Sequence, residues 1–298
     1  MIKLEPIKET VSECFDLCVS DIAPNKHYYR NRLEQDKIFL LGQSSTYKMR
    51  SRAKELHFFI AMPIARGECV LPIRGCQLTK NELVDLYKNY FSKKGTRARA
   101  VYDKIFISSK EQCSMCLVGT VSSLDHYLPK SRYPALSIEP LNLIPACNDC
   151  NRGKGTSVFS KKEDHFLHPY FSEEKFYNEN WLCAEVIEEV PVRLRYYVNP
   201  PRSWSVDDIA LIEEHFHSFK LAVKFSTFVS SHLLTAVDNV DRAINKYKRT
   251  PKGIKEDFLE SAKSRPNKNS PVRVMFEALS RSHWFCSGVR RNETKSMI

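Results

Sequence analysis

Two C-x-x-C pairs, Cys113/Cys116 and Cys147/Cys150, constrain this chain more than any other feature. Each short turn directs both sulfurs inward, so two such pairs suit four thiolates at about 2.3 Å around one Zn²⁺. Redox chemistry would need only one pair. The chain has ten cysteines, yet it begins MIKLEPIKETVSEC, with acids and lysines ahead of any apolar run. Neither a secretory signal nor a disulfide scaffold is therefore expected. No window approaches the roughly 18 uninterrupted apolar residues of a spanning helix. The expectation is a cytoplasmic protein with no membrane contact. Residues 117–146, between the pairs, exceed the about 15–20 residues of a plain zinc ribbon. Something useful is folded between the knuckles.

Charge narrows the partner. The 298 residues hold 46 Lys and Arg against 35 Asp and Glu, a formal net charge of +11. Such a surplus favours a polyanion, because each cation that meets a phosphate releases condensed counterions. An indifferent basic surface would carry the same number, so charge nominates nucleic acid without deciding it. At this length about two domains are expected.

Along the chain, residues 9–22 read as an amphipathic helix, with Val11, Cys14, Phe15, Cys18 and Val19 at helical spacing. Cys14 and Cys18 lie one turn apart on that stripe, which fits core cysteines better than metal ligands. Residues 54–78 contain two short apolar runs broken by Pro and Gly, which suggests strands. Thr79 with Glu82 makes a capping box, opening a helix with Leu83, Leu86, Tyr87 and Tyr90 on one face. Lys93, Lys94, Arg97 and Arg99 then cluster around Gly95, as a phosphate contact or as a solvated charge run. Two strands are expected around Pro191, a long helix from the Ser205 cap to about Lys248, and a last helix within 265–285. The fold class is α+β and mainly helical. Its expected divisions are 1–78, an N-terminal α+β region; 79–170, built around the knuckles; and 171–298, a strand pair with helices.

Between the knuckles runs CSMCLVGTVSSLDHYLPKSRYPALSIEPLNLIPACNDCNRGKG, from Cys113 to Gly155. The predicted order is strand, loop, extended segment, helix. Asp125 and His126 are neighbours, so in a strand their side chains point to opposite faces. That suits a division of labour in which Asp125 holds a metal and His126 serves as general base, its ordinary pKa of about 6.5 leaving it largely neutral.

In these positions the segment resembles the HNH nucleases of the ββα-metal superfamily, in their four-cysteine form. The matching elements are Cys113 and Cys116, Asp125 and His126, Asn142 and Leu143, Cys147 and Cys150, Asn151, and Lys154 with Gly155. The match covers residues 113–155 only. The resemblance implies an endonuclease that hydrolyses phosphodiester bonds in DNA, by nicking or by double-strand cleavage. It implies a structural Zn²⁺ on the four cysteines and a catalytic Mg²⁺ or Mn²⁺ on Asp125 and Asn151. His126 would deprotonate the attacking water, and Asn142 would bond across the loop to orient the strand that carries the base. Arg152 and Lys154 would touch phosphates. Many relatives have His where this chain has Asn151, and the amide oxygen favours a hard cation. His168 could complete the coordination sphere or bind DNA, but packing of the loop after the helix suits it better.

The DHYLPKS-x-YP run resembles stand-alone bacterial HNH proteins of anti-phage defence, among them Septu- and Zorya-type nuclease subunits. A defence-system ATPase or motor is the partner this implies. The competing reading is a zinc-stapled nucleic-acid-binding or interaction subunit that does not cut, which would not need the Asp-His pair with Asn142 and Asn151.

Overall fold

The computed structural model describes residues 1–63 and 75–288. The chain forms two compact units, Met1–Ser172 and Glu173–Ile298. Among the described residues, each unit mixes helices with one small antiparallel strand pair, which is the α+β class expected.

The first unit begins with α1 (Val11–Ser20), capped by Thr10 in a capping box with Glu13. The 27-residue α2 (His27–Ala53) follows. Its buried positions are Leu33, Asp36, Leu40, Ser44, Tyr47 and Ser51. Three of these are polar, which hides the helical stripe from a reading of hydrophobic spacing. Asp36 is buried because it accepts from the Gln77 and Leu78 backbone N–H groups, at 2.7 and 3.1 Å. Those bonds fix the approach to the Thr79 cap, where the predicted capping box with Glu82 is present.

The helix opened there, α3 (Lys80–Asp85), passes into a π-helical turn, Leu86–Phe91. Leu83, Leu86, Tyr87 and Tyr90 are all buried, as the spacing predicted. Next come α4 (Arg99–Ile107), β1 (Ser123–His126), β2 (Leu143–Ala146) and α5 (Asn148–Lys154). One hydrophobic core takes Cys14, Phe15 and Cys18 from α1, Leu33 and Leu40 from α2, and Leu86 and Phe91 from the π turn. The same core takes Val101 and Ile105 from α4, Leu124 from β1 and Leu143 from β2. Residues 1–78 and 79–170 thus share one interior. Cys14 and Cys18 are core residues, and burial pushes the Cys14 thiol up to about 12.

The strands expected within 54–78 fall largely on 64–74, outside the described residues. Ahead of them, Leu56–Phe58 forms a 3-10 turn rather than a strand.

The second unit opens with α6 (Lys175–Asn178). The expected strand pair follows as β3 (Leu182–Ile187) and β4 (Arg193–Val198), antiparallel with Leu182 opposite Val198. The single long helix predicted from Ser205 is instead three: α7 (Val206–Ser218), α8 (Leu221–Phe228) and α9 (Ser230–Asn245). Lys220 adopts a left-handed conformation at φ 51° and breaks the first junction. The physical reason is that Phe219 and Leu221 are both buried, yet in a straight helix they would point about 200° apart. Then come α10 (Pro251–Lys263), α11 (Pro271–Arg281) within the range expected for the last helix, and α12 (His283–Ser287). No helix among the described residues is long and apolar enough to cross a membrane.

Candidate active site

The four knuckle cysteines are buried and converge, with all four Sγ atoms within 4.8 Å of one another. Cys113 and Cys116 lie on a tight turn after α4, where the Cys113 N–H donates to the Gly119 carbonyl at 2.8 Å. Cys147 is the N-cap of α5, and Cys150 lies in its first turns. The Cys116 and Cys147 sulfurs are 3.8 Å apart, the edge of a tetrahedron whose centre lies about 2.3 Å from each sulfur. The Gly119 N–H donates to Cys116 Sγ at 3.4 Å. Hydrogen bonding with Cys113 brings the Cys116 thiol down to about 7, and Cys147 is lowered by the same neighbour first. A soft, enclosed sulfur cluster of this shape fits a metal ion such as zinc.

Gly119 is required by close approach. A Cβ there would lie 2.6 Å from both Cβ and Sγ of Cys147. Gly119→Ala is expected to push Cys147 off its position, destabilising the unit by about 1–3 kcal/mol and weakening metal retention. Thermal denaturation together with metal analysis reads both effects, and an unchanged melt with full metal content would contradict the expectation.

Between the knuckles, β1 pairs antiparallel with β2, with Asp125 opposite Ile144 and His126 opposite Leu143. Strand alternation puts Ser123 and Asp125 on one face and Leu124 and His126 on the other. α5 covers the first face. Asn151 Nδ2 donates to Ser123 Oγ at 3.0 Å, and one turn later Lys154 Nζ lies 3.3 Å from Asp125 Oδ2. Asp125 and Asn151 therefore line the same strand–helix groove, offering a carboxylate and an amide oxygen, both hard donors. Burial lifts the Asp125 carboxyl above its usual range, while Lys154 opposes that shift.

On the other face His126 is buried, 3% exposed, against the edge of the Tyr87 ring at 4.5 Å between centroids. Its Nε2 lies 2.9 Å from the Ser137 carbonyl oxygen. A carbonyl only accepts, so Nε2 carries the proton and Nδ1 keeps its lone pair. Burial, and then the nearby Lys130, hold the ring well below its ordinary pKa, against the Ser137 carbonyl. The π turn, a device often found at functional sites, is what presents Tyr87 here.

Asn142 is fully buried and ties the intervening loop together. Its Oδ1 accepts from the Leu128 N–H at 2.8 Å, and its Nδ2 donates to the Leu128 and Leu136 carbonyls at 3.1 and 3.2 Å. Its own carbonyl accepts from the Tyr127 N–H at 2.8 Å, directly after His126. The loop is anchored to α2 as well. Glu139 accepts from Ser44, and the Tyr47 hydroxyl donates to the Leu141 carbonyl at 3.2 Å.

Two expectations need correction, and His168 takes the packing role that the sequence offered as its alternative. His168 is not available to a metal: its Nδ1 accepts from the Tyr170 N–H at 3.2 Å, and its Nε2 bonds the Tyr47 hydroxyl at 2.8 Å. Its ring packs on Tyr127 at 4.0 Å, so the role is structural. Lys154 does not reach toward solvent phosphate. Its ammonium is buried against Asp125 and donates to the His126 carbonyl at 2.5 Å. The basic loop also divides. Lys93 and Lys94 are exposed, and so is Arg97, which pairs with Asp21 at 3.6 Å at the surface. Arg99 is held by Asp103 at 2.8 Å and by the Ser92 carbonyl at 2.6 Å, over the Tyr102 ring. Arg152 is exposed on α5.

Sequence reasoning overlooked Tyr87 and Lys130 as site residues, and Lys88, whose charge acts on Lys130. Lys130 follows the Asp-His pair by four positions, and its ammonium lies 5.3 Å from the centre of the Tyr87 ring. Proximity to the pair in sequence was the available signal for Lys130. Nothing in the local pattern points to Tyr87 or Lys88.

Comparison with known proteins gives two relationships. Over 52 residues, 17% of this chain and 20% of the other, the chain is 40% identical to the Septu protein PtuB of Bacillus thuringiensis. No family model matches the chain, and no solved structure does. Protein ea31 of Escherichia phage lambda is 32% identical over 225 residues, 71% of this chain and 76% of the phage protein. Identity of that degree across most of both chains means that this protein belongs to the ea31 family.

Proposed function

We propose that the chain is an HNH-type endonuclease that hydrolyses phosphodiester bonds in DNA. The observation that carries the reading is the state of His126. One ring nitrogen is fixed on the Ser137 carbonyl, the other keeps its lone pair, and Asp125 with Asn151 offers hard oxygen donors on the opposite face of the same strand. His126 Nδ1 would take a proton from the water whose oxygen bonds the phosphorus, while the P–O bond to the 3′ oxygen breaks. The positive charge that develops on the ring would be stabilised through Nε2 by the Ser137 carbonyl. Asn142 positions this base by locking the loop on which Ser137 lies. A divalent cation such as Mg²⁺ or Mn²⁺, held by Asp125 and Asn151, would supply Lewis-acid stabilisation of the phosphate charge. Lys154 pairs with the Asp125 carboxylate from the α5 side and fixes its orientation. The four cysteines hold zinc in a structural role.

The shared segment with a Septu protein supports placing this activity in anti-phage defence, where an ATPase or motor subunit would deliver the DNA. The test is supercoiled plasmid with Mg²⁺ or Mn²⁺, with the products of flanking genes supplied. Wild-type protein is expected to give nicked or linear product. Asp125→Ala is expected to give none and to lose the response to added divalent metal while keeping its zinc. Intact plasmid under all these conditions would favour the non-cutting, nucleic-acid-binding alternative.

A further inference from the structure

The loop that follows His126 carries donors with nothing to donate to. Lys130 is half-buried, and its ammonium group has a ring for a neighbour, Tyr87 at 5.3 Å, but no hydrogen-bond acceptor among the described residues. The next residue repeats the pattern, since Ser131 Oγ is buried without a hydrogen-bond partner. The turn is fixed by the Arg132 and Tyr133 N–H groups, both donating to the Pro129 carbonyl at 2.8 Å. Neither the Lys130 nor the Ser131 N–H donates to a backbone carbonyl among the described residues.

Charge is unbalanced at the same place. Burial lowers the Lys130 ammonium from its usual value, with Asp125 opposing this and Lys88 and Lys154 adding to it. Lys130 and Lys154 thus share one carboxylate, Asp125, which is already paired with Lys154 at 3.3 Å, and Lys88 adds positive charge near Lys130. His126 adds no negative charge. An ammonium drawn partly out of water without a counter-charge of its own gains from an anion that supplies one. Tyr87 links the two parts, because its ring touches His126 on one side and carries Lys130 on another.

We propose that Lys130, with Lys88 beside it, seats a non-bridging oxygen of a nucleic-acid phosphate next to the Asp125–His126 pair. Its position close to the reacting phosphodiester rests on the nuclease reading. The seat itself rests on the unpaired donors. Lys130 is then a substrate-binding residue and Lys88 its electrostatic support, and the contact is with backbone and independent of base sequence.

The experiment is duplex-oligonucleotide binding by fluorescence anisotropy across a salt series, with full-length chain carrying His126→Ala so that nothing is cut. Lys130→Met is expected to make the slope of log affinity against log salt shallower by about 0.9, which is about an eightfold loss at 0.1 M relative to 1 M salt. Lys130→Arg should keep the parental slope. Should Lys130→Met fail to fold, Lys88→Met reads the same electrostatic term from an exposed position. A Met variant whose slope and affinity match the parent overturns the proposal, as does a parent that binds no nucleic acid. A wild-type protein that shows the slope change on Lys130→Met but never cleaves supports the phosphate seat and removes the nuclease reading instead.

Discussion

His126→Ala is expected to lower plasmid cleavage by about 10²–10⁴-fold, the usual effect of removing a general base. Zinc content, thermal stability and DNA affinity should change far less. The reason is geometric. The imidazole is bonded to one carbonyl, at Ser137, and lies on the strand face opposite the Asp125 and Asn151 donors. Truncation leaves a small apolar gap beside Tyr87 and one carbonyl without its donor. The knuckles and α5 keep their contacts. Asp125→Ala should differ in kind, because it also strips the divalent response. Cleavage by His126→Ala at near the wild-type rate, in conditions where the wild type cuts, would mean that the base has been assigned to the wrong residue.

Cys150→Ser is expected to release the structural metal and unfold much of the first unit. Thiolate zinc sites contribute folding free energy of about 10–16 kcal/mol in small metal-stapled peptides, whereas a whole domain is stable by only about 5–15 kcal/mol. The four sulfurs tie the turn after α4 to the first turns of α5, and the Ser114 N–H adds a bond to the Pro145 carbonyl on β2 at 3.1 Å. A helix of seven residues, Asn148–Lys154, would not persist in isolation. Elemental analysis should give about one zinc per wild-type chain and much less for the variant, with loss of a cooperative melt. A cooperatively folded Cys150→Ser protein devoid of zinc would refute the stapling role.

Much of the site could be read from the chain because its residues lie close in sequence and obey local geometry. Cys113/Cys116 and Cys147/Cys150 are spaced by the turn that ligation demands. The strand alternation that separates Asp125 from His126 follows from adjacency alone. Thr79 and Ser205 announced their helices by side-chain chemistry. The failures have one cause, which is that packing decides what a polar residue does. Lys154 looked like a phosphate contact, but it lies three residues after Asn151, and that spacing turns it toward Asp125. Arg99 looked free, but Asp103 sits four residues later on the same helix. α2 escaped notice because Asp36, Ser44 and Ser51 occupy positions where an apolar stripe would be sought. The partnership of Tyr87 and Lys130 with the Asp-His pair spans forty residues of chain and a π turn, and no local periodicity encodes it.

The shared interior of the first unit bears on how the reactive segment could be moved about. Residues 113–155 carry every side chain given a chemical task apart from Lys88, yet the surfaces that hold those side chains in place come from elsewhere. Ser137, whose carbonyl accepts from the His126 ring, is itself held by its hydroxyl donating to the Leu83 carbonyl at 2.9 Å. Tyr87 walls the imidazole, while Ser44 and Tyr47 moor the loop. Grafted onto a foreign scaffold, the segment would keep its reagents and lose its vice. Leu124 and Leu143, now interior, would face water. The segment is therefore not an interchangeable cassette, and a chimera that preserves it must also import α2 and the helix that carries Leu83 and Tyr87.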